Sequence, residues 1–304
     1  MHMKSHRRYN YQPIAGRPHY SWPGGKSLAF YIAINIEHFH FGEGLGHTPS
    51  YLTPQPDVRN YAWRDYGLRV GIWRIFDLLD ELALPACLLV NSAAYDYAPQ
   101  IMARGRERGD EIVGHGRTNS ERQGDLDETQ ERALIEEAST VIAAHEGHRP
   151  KGWLGPWISE TLVTPDLLKE AGYDYVLDWP LDDQPVWLAT RSGPLLSVPY
   201  PVEINDAPAM LSRHCTASDF TTMITDQFDE LVRQSRQQPL VCSLSLHPPI
   251  VGQPFRLAQL RRALQSIKDH PAFDRIWLTR PGDIACHIAG LPDGTLAMPP
   301  AINV

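Results

Sequence analysis

The 304-residue chain is 42% hydrophobic and 21% charged, the ordinary mix of a globular protein long enough to bury a sizeable core. Its net charge of −8, with no Lys/Arg stripe interleaved with aromatics, argues against nucleic acid or an anionic membrane as partner. No apolar run approaches the ~18 residues of a membrane span, and the basic Met1–Arg8 stretch has no signal-peptide core.

Residues 1–26, rich in Pro, Gly, His and Tyr, read as an arm. A first strand over 27–36 follows, then a Gly/Pro/Tyr loop over 39–66. Its length and its Phe39, Phe41, Tyr51, Tyr61, Trp63 and Tyr66 suggest an ordered lid. A helix over 68–83 places Leu68, Ile72, Ile75, Phe76 and Leu79 on one face. Strands at 86–91 and 111–115 flank a helix at 97–108, and a helix at 127–146 leads to a short strand at 151–154. Thr164-Pro165-Asp166 opens a helix that ends at Gly172, before a strand at 173–177.

The Pro- and Asp-rich 180–216 stretch holds two short strand-like pieces, 186–188 and 195–198. A helix from Ser218, an almost wholly apolar strand at 240–246, a helix at 256–268, a strand at 275–278 and a helix at 281–289 complete the pattern. Residues 292–304 read as a tail. Strand–helix alternation without a linker predicts one α/β domain over 27–291 with a parallel sheet. The absence of a GxGxxG after any strand favours barrel-like closure over a dinucleotide-binding sheet.

The four cysteines, Cys87, Cys215, Cys242 and Cys286, form no CxxC pair, so neither a zinc knuckle nor a thioredoxin motif is expected. Cys87 and Cys242, inside apolar strand-like runs, are expected to be buried structural thiols, and a reducing, cytoplasmic compartment follows.

Three polar interruptions end apolar strands: Asn35-Ile36-Glu37-His38, His115-Gly116-Arg117-Thr118-Asn119, and His247-Pro248-Pro249. Carboxyl ends of parallel strands converge on one face, where sites are built. A carboxylate and imidazoles meeting there suit acid–base or metal-assisted hydrolysis. Glu37, after seven apolar residues, is expected to have a raised pKa and to act as general base. His115 is the candidate for steadying an oxyanion, His247 for general acid, and Arg149 for orienting Glu37 or holding a substrate carbonyl. Trp153, Asp178, Trp179, Asn119, Asn205 and Asp206 are candidate substrate-binding residues.

The order of these segments resembles the polysaccharide deacetylase (NodB-type) superfamily, and most of all its allantoinase-like branch. The likeness rests on Asn35-Ile36-Glu37-His38, His115-Gly116, Arg149-Pro150-Lys151-Gly152-Trp153, Asp182-Asp183-Gln184-Pro185-Val186-Trp187, Pro199-Tyr200 with Asn205-Asp206, and Leu246-His247-Pro248 with Gly252, Pro254 and Arg256. It implies an irregular, incomplete (β/α) barrel. It also implies a hydrolase of non-peptide carbon–nitrogen bonds, acting on a small cyclic amide or ureide, and a homo-oligomer of tetramer type.

Two departures stand out. Glu37-His38 occupies the place of the deacetylases' Asp-Asp, and Asn119 that of their second imidazole ligand. The cofactor is therefore either none or one divalent metal, zinc by ligand type, held by Glu37, His38 and His115. The alternatives are N-deacetylation or deformylation of an amino sugar or polysaccharide, and a non-catalytic binding barrel.

Overall fold

The computed structural model describes residues 6–43 and 57–300. Its centre is one nine-stranded sheet. Strand β1 (Leu28–Ile36) pairs in parallel along its length with β8 (Leu240–Leu246). Its other edge is shared by β9 (Ile276–Leu278) over the first residues and β2 (Cys87–Val90) over the last. The sheet continues in parallel through β3 (Glu111–Gly114), β4 (Gly152–Trp153), β5 (Tyr175–Val176) and β7 (Leu195–Ser197). The antiparallel β6 (Val186–Leu188) forms the edge. Single bonds from Val241 N–H to Asp183 O (2.9 Å) and from Ser245 N–H to Ile204 O (3.1 Å) partly close the barrel against β8.

Helices cover the outside. The first runs from α1 (Val58–Tyr66) through a π-helical turn (Gly67–Gly71) into α2 (Ile72–Glu81). Helix formation thus begins inside the stretch expected to be a lid loop, behind an Asp57 cap whose side chain accepts from Asn60 N–H (3.0 Å). The rest of that stretch up to residue 56, with Tyr51, lies outside the described residues. The order continues with α3 (Ala94–Tyr97), α4 (Pro99–Arg108), α5 (Glu128–Glu146), α6 (Thr164–Glu170), α7 (Ala217–Gln234), α8 (Pro248–Val251), α9 (Pro254–Lys268) and α10 (Pro281–Ala289). The short α8 replaces an expected loop: Pro248 and Pro249 occupy its first turn, where missing N–H groups cost nothing.

Strand alternation divides the core in two. Leu28, Phe30, Ile32, Ile34 and Ile36 of β1, with Leu240, Cys242, Leu244 and Leu246 of β8, face the helices. Ala29, Tyr31, Ala33, Cys87, Leu89, Val113 and Val241 face the barrel interior. Trp22, Trp277 and Ile284 of α10 join the interior cluster near the strand starts, with Trp22 donating its indole N–H to Leu240 O (3.0 Å). The N-terminal arm is pinned by two forked ion pairs, Arg8 to Asp166 (2.8 and 2.7 Å) and Arg17 to Asp182 (2.9 and 2.6 Å).

Candidate active site

The same alternation carries polar side chains to the carboxyl ends of the strands. On β1 the interior positions 29, 31 and 33 lead to Asn35 and Glu37. On β3, position 113 leads to His115, and on β8, 241, 243 and 245 lead to His247. Glu37 Oε1 lies 3.7 Å from His115 Nε2 and 3.6 Å from His247 Nε2. These groups line a cavity of ≈ 210 Å³ together with Arg64, Asn119, Trp157 and Asn205.

His247 stands at the N-terminal boundary of α8, and Asp206 fixes it by accepting from its backbone N–H (2.9 Å) and from its Nδ1 (2.6 Å). Gly67 and Gly71, one helical turn apart, let the π-helical turn lie directly against Pro249 and Pro248; a Cβ on Gly71 would run into the Pro248 carbonyl. His115 Nδ1 bonds Leu154 O (2.7 Å), so a neutral ring carries its lone pair at Nε2. That Nε2 is buried and has no hydrogen-bond partner. Asn119 donates its side-chain N–H to Glu37 Oε1 (2.6 Å). Asn35 donates to Ser245 Oγ and Leu246 O (3.1 Å each), and Tyr200 bonds Ser245 Oγ (2.5 Å); both residues line the cavity. Trp157 and Ile158, consecutive residues at φ +70° and +53°, form part of the wall, a strained backbone of the kind found at sites.

The electrostatics differ from expectation. Burial pushes the Glu37 carboxyl up, but the His247 charge, with both imidazoles close by, reverses this and holds it well below the usual carboxylate range. Burial pulls His247 down, yet the charges of Asp206 and Glu37 push it up to about 10. An imidazolium thus sits between two carboxylates. Burial also raises Asp206 against the pull of His247, and the two bonds it accepts satisfy its ionised form.

Several expected site residues lie elsewhere. His38 follows Glu37 on the opposite face of the chain, with its ring against Tyr97 (4.5 Å). Trp153 faces outward into the core beside α5 and α6 and donates to Gln123 Oε1 (3.0 Å). Asp178 lies one step beyond the interior Leu177 and accepts from Gly155 N–H (2.7 Å). Trp179 donates to Glu160 Oε2 (2.9 Å) and stands edge-on to Tyr9 (6.0 Å). Arg149 pairs with Glu136 at the surface, far from any role in orienting Glu37. Asn119 and Asn205 line the cavity, and Asp206 stands behind His247. Sequence reading quoted Asn35 and Tyr200 in its motifs without giving them a site role, and missed Arg64 and the fully buried Asn91; for Asn35 and Asn91 the signal was a polar residue in register on the interior face.

The polysaccharide deacetylase family model matches residues 63–176. A Schizosaccharomyces pombe protein named "Putative polysaccharide deacetylase" is 27% identical over 90% of this chain and 93% of its own length. The crystal structure of a probable polysaccharide deacetylase from Pseudomonas aeruginosa PAO1 superimposes with TM-score 0.80 at 28% identity, covering 90% of this chain and 94% of that one. The PuuE allantoinase crystal structure gives TM-score 0.77 at 29% identity with the same coverage. The chain resembles the polysaccharide deacetylase superfamily. Its fold is the irregular, incomplete (β/α) barrel of that superfamily. These likenesses support an amide hydrolase acting on non-peptide carbon–nitrogen bonds.

Polysaccharide deacetylases usually use a divalent metal. The donors here do not fit one. Among the described residues no group of three His, Cys, Asp or Glu side chains is placed to hold an ion, so the expected set Glu37, His38 and His115 does not converge. At position 119 an amide N–H faces Glu37 where a ligand would present a lone pair.

Proposed function

We propose that this protein hydrolyses the amide carbon–nitrogen bond of a small cyclic amide or ureide, with its own side chains activating water. The approach of His115 and His247 to Glu37, at 3.7 and 3.6 Å, carries the reading. The cavity, ≈ 210 Å³, suits a small heterocycle better than a polymer.

A water between Glu37 Oε1 and His115 Nε2 meets two acceptors. Glu37, held low, is a weak proton acceptor and orients the water; the unpartnered lone pair of His115 takes its proton as the oxygen attacks the carbonyl. The base expected at Glu37 is thus His115, and the oxyanion role expected of His115 passes to other groups. The fixed charges of His247 and Arg64 on the cavity wall favour the developing oxyanion. His247, kept protonated by Asp206, then delivers the Nε2 proton to the leaving nitrogen as the ring opens. In support of the substrate class stand the likeness to an allantoinase, the aromatic Trp63 and Trp157 of the wall, and the small size of the cavity. N-deacetylation of an amino sugar is the second reading, favoured by the family model. We extend the proposal to a homo-oligomer in a reducing cytosol, supported by the branch resemblance and by four cysteines free of disulfides.

The test is a screen of cyclic ureides, cyclic imides and N-acetyl sugars with metal-stripped protein. Ring opening of a ureide is expected, with His115→Gln, which removes the base, lowering kcat by roughly 10²–10⁴-fold. Full activity of His115→Gln, or turnover of N-acetyl sugars alone, would refute the reading.

A further inference from the structure

The carboxylate at the centre of the cavity is held by a chain of amides that begins at a backbone group. The His38 N–H donates to Asn91 Oδ1 (2.9 Å). A backbone N–H can only donate, so it fixes which way round the Asn91 amide lies. Asn91 Nδ2 must then face its two other neighbours, His115 O and Asn119 Oδ1, and it donates to both, the latter at 3.0 Å. With its oxygen claimed by Asn91, Asn119 turns its Nδ2 to Glu37 Oε1 (2.6 Å). Asn119 also closes the loop on the first strand, its own backbone N–H donating to His38 O (2.9 Å). Asn91 is completely buried and Asn119 nearly so.

We infer that Asn91 is a positioning residue: through Asn119 it sets the direction of the hydrogen bond to Glu37, and through the His115 carbonyl it holds the second water-facing residue in place. This rests on the hydrolase reading of the cavity. The physical point is polarity. Every member of the chain has one allowed orientation, and reversing any one would set an oxygen against the Glu37 oxygen. Asn91 also ties the ends of β1, β2 and β3 to one side chain, so Glu37 and His115 keep a common frame.

Asn91→Asp tests this, because it preserves size and, once ionised, puts an acceptor where the donor stood. An acceptor then faces both His115 O and Asn119 Oδ1, and the Asn119 amide loses its fixed orientation. Two measurements separate the outcomes. The first is the side-chain amide signal of Asn119 in ¹⁵N NMR, identified by its loss in Asn119→Ser. A carboxylate-bonded amide proton is expected downfield in the parent protein and displaced in Asn91→Asp. The second is steady-state kinetics on the ureide found in the screen: kcat is expected to fall roughly ten- to hundredfold, with KM changed by less than about twofold, as for loss of an outer-shell partner. A purely structural Asn91 would change melting temperature without this split.

An unmoved Asn119 signal in a folded variant overturns the relay whatever the activity. A displaced signal with undiminished kcat overturns the positioning role. Absence of any amide hydrolysis by the parent protein refutes the hydrolase reading instead, and the NMR result still decides the relay. Should Asn91→Asp fail to fold, Asn91→Ser is judged by the same two readouts.

Discussion

Replacing Asp206 by Asn isolates the charge that keeps His247 protonated. Asp206 is wholly buried and contacts Nδ1 at 2.6 Å, while the second anion, Glu37, stands 3.6 Å from Nε2. Two unit charges at about 4 Å attract by roughly 4 kcal/mol at an effective dielectric constant near 20, equal to about three pH units at 1.36 kcal/mol each. Burial works in the opposite direction and Glu37 remains, so removing the nearer carboxylate should lower His247 by roughly two to three pH units from about 10. The general acid would then lose its proton near pH 7 to 8 rather than near 10. The assay is the pH profile of kcat/KM, whose alkaline limb should move down by that amount.

Stability moves with the same sign. A raised imidazole pKa favours the folded state fully below its ordinary range, and that gain disappears as pH climbs through about 10. In Asp206→Asn it disappears earlier. The Asn oxygen also satisfies only one of the two His247 donors, at a cost of about 1–3 kcal/mol. An alkaline limb that stays in place in the folded variant would refute the assignment of His247 as the acid.

Two further predictions concern the frame around the cavity. Burial pushes Asp178 up to about 8, against the Gly155 N–H that favours its charged form; Glu160 is raised well above its ordinary range by burial and by Asp178. A buried carboxyl that stays protonated stabilises the fold at low pH and loses that contribution as pH rises toward about 8. Asp178→Asn, which keeps an acceptor for Gly155, should flatten the decline in urea stability between about pH 5 and 9, and a parallel decline in both proteins would refute the protonated state. Gly71→Ala should destabilise by about 1–3 kcal/mol and reduce kcat by displacing the His247-Pro248 turn. Helix propensity alone would favour Ala by up to about 1 kcal/mol, so a more stable, fully active variant counts against the close contact.

The strand–helix alternation was readable because buried strands and amphipathic helices follow different periods. The 240–246 and 281–289 segments match the observed elements closely for that reason. Two features escaped. The helix begins at Val58 rather than near Leu68, because α1 shows mostly polar faces with only Asn60 and Arg64 buried, so no apolar stripe announces it. The four-residue α8 is too short for any period and is held by the prolines and by contact with two glycines, Gly67 and Gly71, far back along the chain.

For the site, the information was in the parity of positions along each strand. Residue types alone suggested that Glu37-His38 act as a pair and that Trp153, Asp178 and Trp179 join them. A strand sends neighbours to opposite faces, so Glu37 and His38 never share a cavity, and Trp153 cannot follow its neighbour Leu154 inward. Counting by twos from Ala29, Cys87, Val113 and Val241 reaches Asn35, Glu37, Asn91, His115 and His247 without a structure. Charge was less legible. A carboxylate at the end of an apolar strand suggests desolvation and a raised pKa, yet the direction at Glu37 is set by two imidazoles contributed from strands 78 and 210 residues further along the chain. Desolvation is written in the local sequence, whereas the compensating charges come from the pairing of β1 with β8 and, through β2, with β3. The balance between them, and hence which residue gives and which takes a proton, is a property of the closed sheet.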